Sequence, residues 1–142
     1  MKRTLLCAFV IAASSASAQP TYKQAWDFRA TMSTLISQSK LQLKKPEGFR
    51  QFSEEVEKLE PAALKLFGKR ASAGDFEACI AAAASVRNYW QSQMSALNTT
   101  DPLLVGFTAS AGFELGQNYG RCSDQIDMLD RLPSGPPRKK VP

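Results

Sequence analysis

The fold is decided by residues 75–130, which read DFEACIAAAASVRNYWQSQMSALNTTDPLLVGFTASAGFELGQNYGRCSDQIDMLD. Two long segments, with apolar residues at three- and four-residue steps, flank the turn sequence NTTDP at residues 98–102. This spacing is typical of amphipathic helices. Each segment contains one cysteine, Cys79 or Cys122, at almost the same distance from the turn. In an antiparallel helical hairpin the two thiols would therefore face each other.

These two cysteines are predicted to form a disulfide. In an exported domain a pair of cysteines is more often bonded than free. A metal site would need further ligands and a reactive thiol would need an activating partner, and the chain contains no histidine for either role. In the chain-entropy model, a Cys79–Cys122 bond across a loop of this length stabilises the fold by about 4 kcal/mol.

An export signal is predicted at residues 1–18. Lys2 and Arg3 are its basic end, residues 5–13 are its apolar core, and a small-x-small cleavage pattern ends at Ala18. The apolar run is shorter than the roughly 20 residues that span a bilayer. We therefore expect a bacterial protein that is periplasmic or secreted after cleavage, with no transmembrane segment.

Two further periodic segments, residues 22–43 and 47–72, precede the hairpin. Pro61 lies inside the second and predicts a kink or a break there, because proline lacks a backbone donor and clashes with the preceding turn. Four apolar stripes without strand alternation predict an all-α, up-down-up-down four-helix bundle. The bundle is predicted to form a single domain at residues 19–131, and a flexible, basic, Pro-rich tail is predicted at residues 132–142.

The starts of the third and fourth predicted helices have recognisable caps. Asp75 is a good N-cap for the third. Asp101 is a capping carboxylate for the fourth, and Pro102 follows at the first helical position, where its missing donor has no consequence.

Charge and composition exclude several functions. The formal net charge is +5, but two basic residues belong to the signal and three to residues 138–140, so the bundle is close to neutral and nucleic-acid binding is not expected. Histidine is absent, as are Cys-x-x-Cys and Gly-x-Ser-x-Gly motifs. We predict a protein that is not an enzyme and that has no cofactor and no metal.

A row of glycines in the fourth predicted helix is its most unusual feature. Gly112, Gly116 and Gly120 recur every fourth residue, and each costs roughly 1 kcal/mol relative to alanine in a helix. The row either packs tightly against another helix of the bundle or receives a partner protein, including a second copy in a homodimer. Arg87 and Tyr89 are further interaction candidates, because arginine and tyrosine are enriched in interface hot spots and both are expected to point outward.

Acidic residues are weaker candidates. Glu114 would be a candidate site if it were buried, since burial perturbs a carboxylate, and a position on the exposed face is the alternative. Asp124, Asp127 and Asp130 stand at three-residue steps. They lack the loop geometry of a calcium site and are interpreted as a solvated face.

The general plan of the chain resembles the periplasmic cytochromes of the b562 and c′ type. In those families a histidine near the end of the fourth helix binds haem, often within Cys-x-x-Cys-His. The matching residues 119–123 read YGRCS here, with no histidine and no second cysteine, so the resemblance extends to architecture alone. It implies a bundle that carries a small ligand or a haem, for which Met32, Trp90 and Phe107 are the candidate contacts.

The function predicted from the sequence is therefore protein binding by an exported, non-enzymatic helical protein, of the inhibitor, immunity or secretion-accessory type. The alternative is the ligand- or haem-carrying bundle.

Overall fold

A computed structural model of the chain describes residues 20–68, 76–97 and 99–131. Its helices are α1 (Tyr22–Gln42), α2 (Phe49–Glu57), α3 (Leu59–Phe67), α4 (Glu77–Ala96) and α5 (Pro102–Arg131). Because α2 and α3 together occupy one position in the bundle, the architecture is the predicted all-α, up-down-up-down four-helix bundle. The predicted signal at residues 1–18 and the predicted tail at residues 132–142 lie outside the described residues.

The break predicted near Pro61 is present and separates α2 from α3 at Lys58. In a continuous helix, the backbone N–H of residue 61 would donate to the carbonyl of Glu57, and proline has no N–H. The last turn of α2 is instead tighter than an α-helical turn, because the backbone N–H of Lys58 donates to the carbonyl of Glu55, three residues back, at 3.3 Å. Pro61 then lies in the first turn of α3, where a missing donor is tolerated.

The cap predicted for the last helix is confirmed. The carboxylate of Asp101 accepts a hydrogen bond from the backbone N–H of Leu103 at 2.9 Å. The cap predicted at Asp75 lies outside the described residues. Helix α4 begins at Glu77.

The disulfide between Cys79 and Cys122 is confirmed. It joins α4 to α5 across a sequence separation of 43, with the two Cα atoms 4.5 Å apart. Both cysteines are fully buried. The bond closes the hairpin at the end opposite the turn, as the spacing of the two cysteines predicted.

Two side-chain hydrogen bonds fix the register of the same hairpin closer to the turn. Asn118 Nδ2 on α5 donates to Ser85 Oγ on α4 at 2.9 Å. The one hydroxyl proton of Thr108 on α5 is shared between the backbone carbonyl of Ser92 on α4, at 3.2 Å, and that of Leu104 in its own helix, at 3.1 Å. Together with the disulfide they hold α4 and α5 at three points along the hairpin.

Aromatic packing places the broken second helix against α4. The buried ring of Trp90 meets Phe52 and Phe49 edge-on, at centroid distances of 4.7 and 5.9 Å. Its Nε1 donates to Ser53 Oγ at 2.8 Å, so the polar group of the buried indole also has a hydrogen-bond partner. On α1, residues at three- and four-residue steps form the buried face: Ala25, Phe28, Met32, Leu35 and Ser39.

No described helix has both the length and the apolar character that crossing a membrane requires.

Candidate functional site

The first twelve residues of α5, 102–113, are apolar or uncharged yet lie at the surface; we call them the apolar segment. It contains no charged residue, and none of its twelve positions is buried. The large side chains within it are strongly exposed: Leu103 to 71%, Val105 to 54%, Phe107 to 65% and Phe113 to 70%. A surface helix of a globular protein normally carries charged or polar groups on its outer face. The apolar segment is therefore the main candidate for an interaction site.

The exposure of this segment follows from helix length and register. Helix α5 has 30 residues and α1 has 21. The ion pair between Arg29 and Asp127 places the first half of α1 beside the last turns of α5, so α1, which ends at Gln42, covers α5 only as far as about residue 114. The buried positions of α5, which are Leu115, Cys122 and Ile126, all follow the apolar segment.

The sites predicted from the sequence do not include this segment as a whole, although a signal for it is present. Helical periodicity identifies the inward stripe of α5, but it does not show whether the outer positions carry the charges of a solvated face. The run of twelve uncharged residues from 102 to 113 could have identified the segment.

The glycine row divides into two structural situations. A Cβ atom added at Gly112 would lie 3.2 Å from Cε2 of Tyr89 on α4, so this glycine lets a ring approach the backbone of α5. At Gly116 and Gly120 an added Cβ would meet no atom within 4 Å. Close packing within the bundle therefore accounts for Gly112 but not for Gly116 or Gly120.

Alanine substitutions should separate these situations. Gly116→Ala and Gly120→Ala are each expected to raise the free energy of unfolding by up to about 1 kcal/mol, because alanine favours the helix and has room in both places. Gly112→Ala should gain less or lose stability, since the ring of Tyr89 must move. Urea denaturation of the three variants measures this, and equal gains at all three positions would contradict it.

Arg87 and Tyr89 are not brought together. Both are half-buried, and they lie on different sides of α4. Arg87 NH1 is 2.7 Å from Glu60 Oε2 on α3, whereas Tyr89 packs against Gly112 on α5. Tyr89 therefore lies beside the glycine row, whereas Arg87 joins α4 to α3 through its ion pair with Glu60.

The ligand candidates Met32, Trp90 and Phe107 are also separated. Met32 and Trp90 are buried in the packed core, and Phe107 lies on the outer surface of α5. The thioether of Met32 is the one sulfur of this set, and the core packs around it with 0% exposure. With no histidine in the chain, these residues do not fit a haem.

The acidic candidates are solvated. Glu114, Asp124 and Asp130 are exposed. Asp127 Oδ1 accepts a hydrogen bond from Arg29 NH1 on α1 at 2.8 Å. Among the described residues no group of three or more histidine, cysteine or acidic side chains is arranged to hold a metal ion.

Comparison of the chain with models of protein families, with curated proteins and with solved structures found no match. The class of protein is thus defined by the geometry alone. It is a four-helix bundle in which a disulfide locks the last hairpin and the first twelve residues of the last helix present apolar side chains to solvent.

Proposed function

We propose that this protein acts by binding another protein through the apolar segment of α5, and that it carries out no catalysis. The observation that supports this is the exposure of Leu103, Phe107 and Phe113 on a stretch of helix with no charge. Contiguous apolar surface of this kind marks interaction sites on soluble proteins. Aromatic residues are enriched, and charged residues depleted, in the centres of protein interfaces.

The size of the exposed surface is sufficient for a specific contact. Val105 faces away from Leu103 and Phe107, and the exposed parts of Leu103, Phe107 and Phe113 amount to about 350–450 Å². Covering this area corresponds to on the order of 10 kcal/mol at about 25 cal/mol per Å². Association itself costs an estimated ~4–15 kcal/mol. The segment alone would thus support a modest affinity, and polar contacts around it would bring the interface toward the usual ~800 Å² per partner.

The apolar segment is presented on a rigid support. The Asp101 cap fixes its first turn, and the bond from Thr108 to Ser92 anchors its middle to α4. Because the helix is already formed, little conformational entropy is lost when a partner binds. Leu103 and Phe107 are one helical turn apart, which suits recognition in which an apolar helix face enters a groove of the partner.

The compartment is part of the same proposal. A disulfide persists in oxidising compartments such as the bacterial periplasm or the extracellular space, and the Cys79–Cys122 bond fits that setting. An exported bundle that binds protein would act as an inhibitor, an immunity factor or a secretion accessory.

Site-specific photo-cross-linking tests the proposal. A photoreactive phenylalanine analogue placed at Phe107, in the cells that produce the protein, should give one discrete cross-linked product. The same analogue at Met128 is the matched control, because Met128 is also apolar and 57% exposed on α5 but lies outside the apolar segment. A product of twice the mass of the chain would identify a second copy, and any other mass would identify a different protein.

A charge in the segment should then abolish the contact. Phe113→Glu, combined with the analogue at Phe107, is expected to remove the product without changing the melting temperature, because residue 113 is exposed. No discrete product at Phe107, or equal products at Phe107 and Met128, would refute binding through this segment.

A further inference from the structure

A groove of about 320 Å³ lies between α1 and α5, on a different part of the bundle surface from the large side chains of the apolar segment. We call it the α1–α5 groove. Its lining includes Ile36 and Lys40 from α1, Tyr89 from α4, and Leu115, Gly116 and Tyr119 from α5. Ile36 and Leu115 belong to the hydrophobic core or pack against it, so apolar side chains line the groove where it meets the core.

The glycine row creates this groove. At Gly112 the ring of Tyr89 lies against the α5 backbone. One turn further, Gly116 has neither a side chain nor any neighbour within 4 Å of where a Cβ would be. A side chain at that position would project into the space between α1 and α5. The open position of Gly116, which packing within the bundle leaves unexplained, thus coincides with a cavity.

The charge in the lining of the groove is positive. Among the described residues, Lys40 is the only charged residue in its lining, and it forms no ion pair with them. No carboxylate of residues 20–68, 76–97 or 99–131 lines the groove. Ser33 lies on α1 about 10 Å from Lys40 along the helix axis. The groove therefore offers a largely apolar floor, and its lining includes one exposed lysine that forms no ion pair with the described residues.

We propose that the α1–α5 groove binds a small amphiphile that has an apolar body and one carboxylate, such as an alkanoate of about eight to twelve carbons. The alkyl chain would cover Ile36, Leu115 and the backbone at Gly116, and the carboxylate would pair with Lys40. This inference is independent of protein binding by the apolar segment.

Calorimetric titration with decanoate, below its aggregation concentration, tests the inference on the oxidised protein. We expect saturable binding of one decanoate per chain, with a dissociation constant on the order of 0.1–1 mM for a ligand of this size. Decyltrimethylammonium is the matched control, because it has the same alkyl chain and the opposite charge. It should bind at least fivefold more weakly, and equal binding of the two would contradict the role of Lys40.

Two pairs of variants locate the site. Gly116→Leu should abolish decanoate binding by filling the groove, whereas Gly120→Leu, which is equally open but outside the lining, should leave it unchanged. Lys40→Gln should weaken binding about fivefold, as expected for a partly exposed ion pair, and Lys44→Gln should not. Binding that is absent in the wild-type protein, or unaltered in both Gly116→Leu and Lys40→Gln, would overturn the proposal.

A further comparison separates this site from the apolar segment. Phe107→Glu should leave decanoate binding unchanged, because Phe107 does not line the groove. If Phe107→Glu abolishes the binding of decanoate and Gly116→Leu does not, the alkyl chain binds to the apolar segment and the groove is not the site.

Discussion

Replacing Cys79 and Cys122 together by alanine is expected to lower the melting temperature by about 12–24 °C. The disulfide closes a loop with a sequence separation of 43, and in the chain-entropy model such a loop contributes about 4 kcal/mol. Both sulfur atoms are fully buried between α4 and α5, so the double variant also loses close contacts in the core. Calorimetric melting of the wild-type protein and the double variant measures the difference.

The control for this prediction is a reducing agent. The oxidised wild-type protein should lose most of the same stability when it is unfolded, reduced and refolded, while the double alanine variant should melt at one temperature with or without reductant. Thiol titration of the unreduced, denatured protein should find no free thiol at Cys79 or Cys122. Two free thiols in protein recovered from an oxidising compartment would contradict the disulfide.

Replacing Trp90 by alanine is expected to reduce the free energy of unfolding by about 3–5 kcal/mol. The indole ring is buried, packs edge-on against Phe49 and Phe52, and donates to Ser53. Its removal leaves a cavity between α4 and α2, and the hydroxyl of Ser53 loses its buried partner. Urea denaturation followed by circular dichroism measures the loss.

The other tryptophan of the chain is the matched control. Trp26 lies on α1 and is 43% exposed. The guanidinium carbon of Arg29 lies over its ring, 5.8 Å from the ring centroid. Trp26→Ala should reduce stability by about 1 kcal/mol or less, since a contact at an exposed site contributes little. If Trp26→Ala were as destabilising as Trp90→Ala, the assignment of Trp90 to the core would be wrong.

Phe113 and Leu115 show why part of the candidate site could not be predicted. Both are large apolar residues in the same helix, two positions apart. Leu115 is buried and Phe113 is 70% exposed. The helical period assigns Leu115 to the inward stripe, but it does not say which helices surround α5 at that height. The exposure of Phe113 therefore became clear only when the helices were assembled.

The surroundings of the glycine row in α5 also could not be predicted from the sequence. Its spacing predicted a surface of small residues, for which packing within the bundle was the favoured explanation and partner binding the alternative. The structure places the ring of Tyr89 on Gly112 and nothing on Gly116 or Gly120. That distinction depends on the rotation of α4 and α1 about their axes, which no local pattern in α5 encodes.

The sequence by itself determined the helices, the break near Pro61, the Asp101 cap and the disulfide partners. Each of these follows from interactions between residues close in the chain, or from the equal spacing of Cys79 and Cys122 about one turn. Tertiary structure alone decided that residues 102–113 of α5 are exposed and that a groove opens beside Gly116. Both depend on how far α1 extends along the longer α5, and such contacts between distant segments are set by packing of the whole bundle.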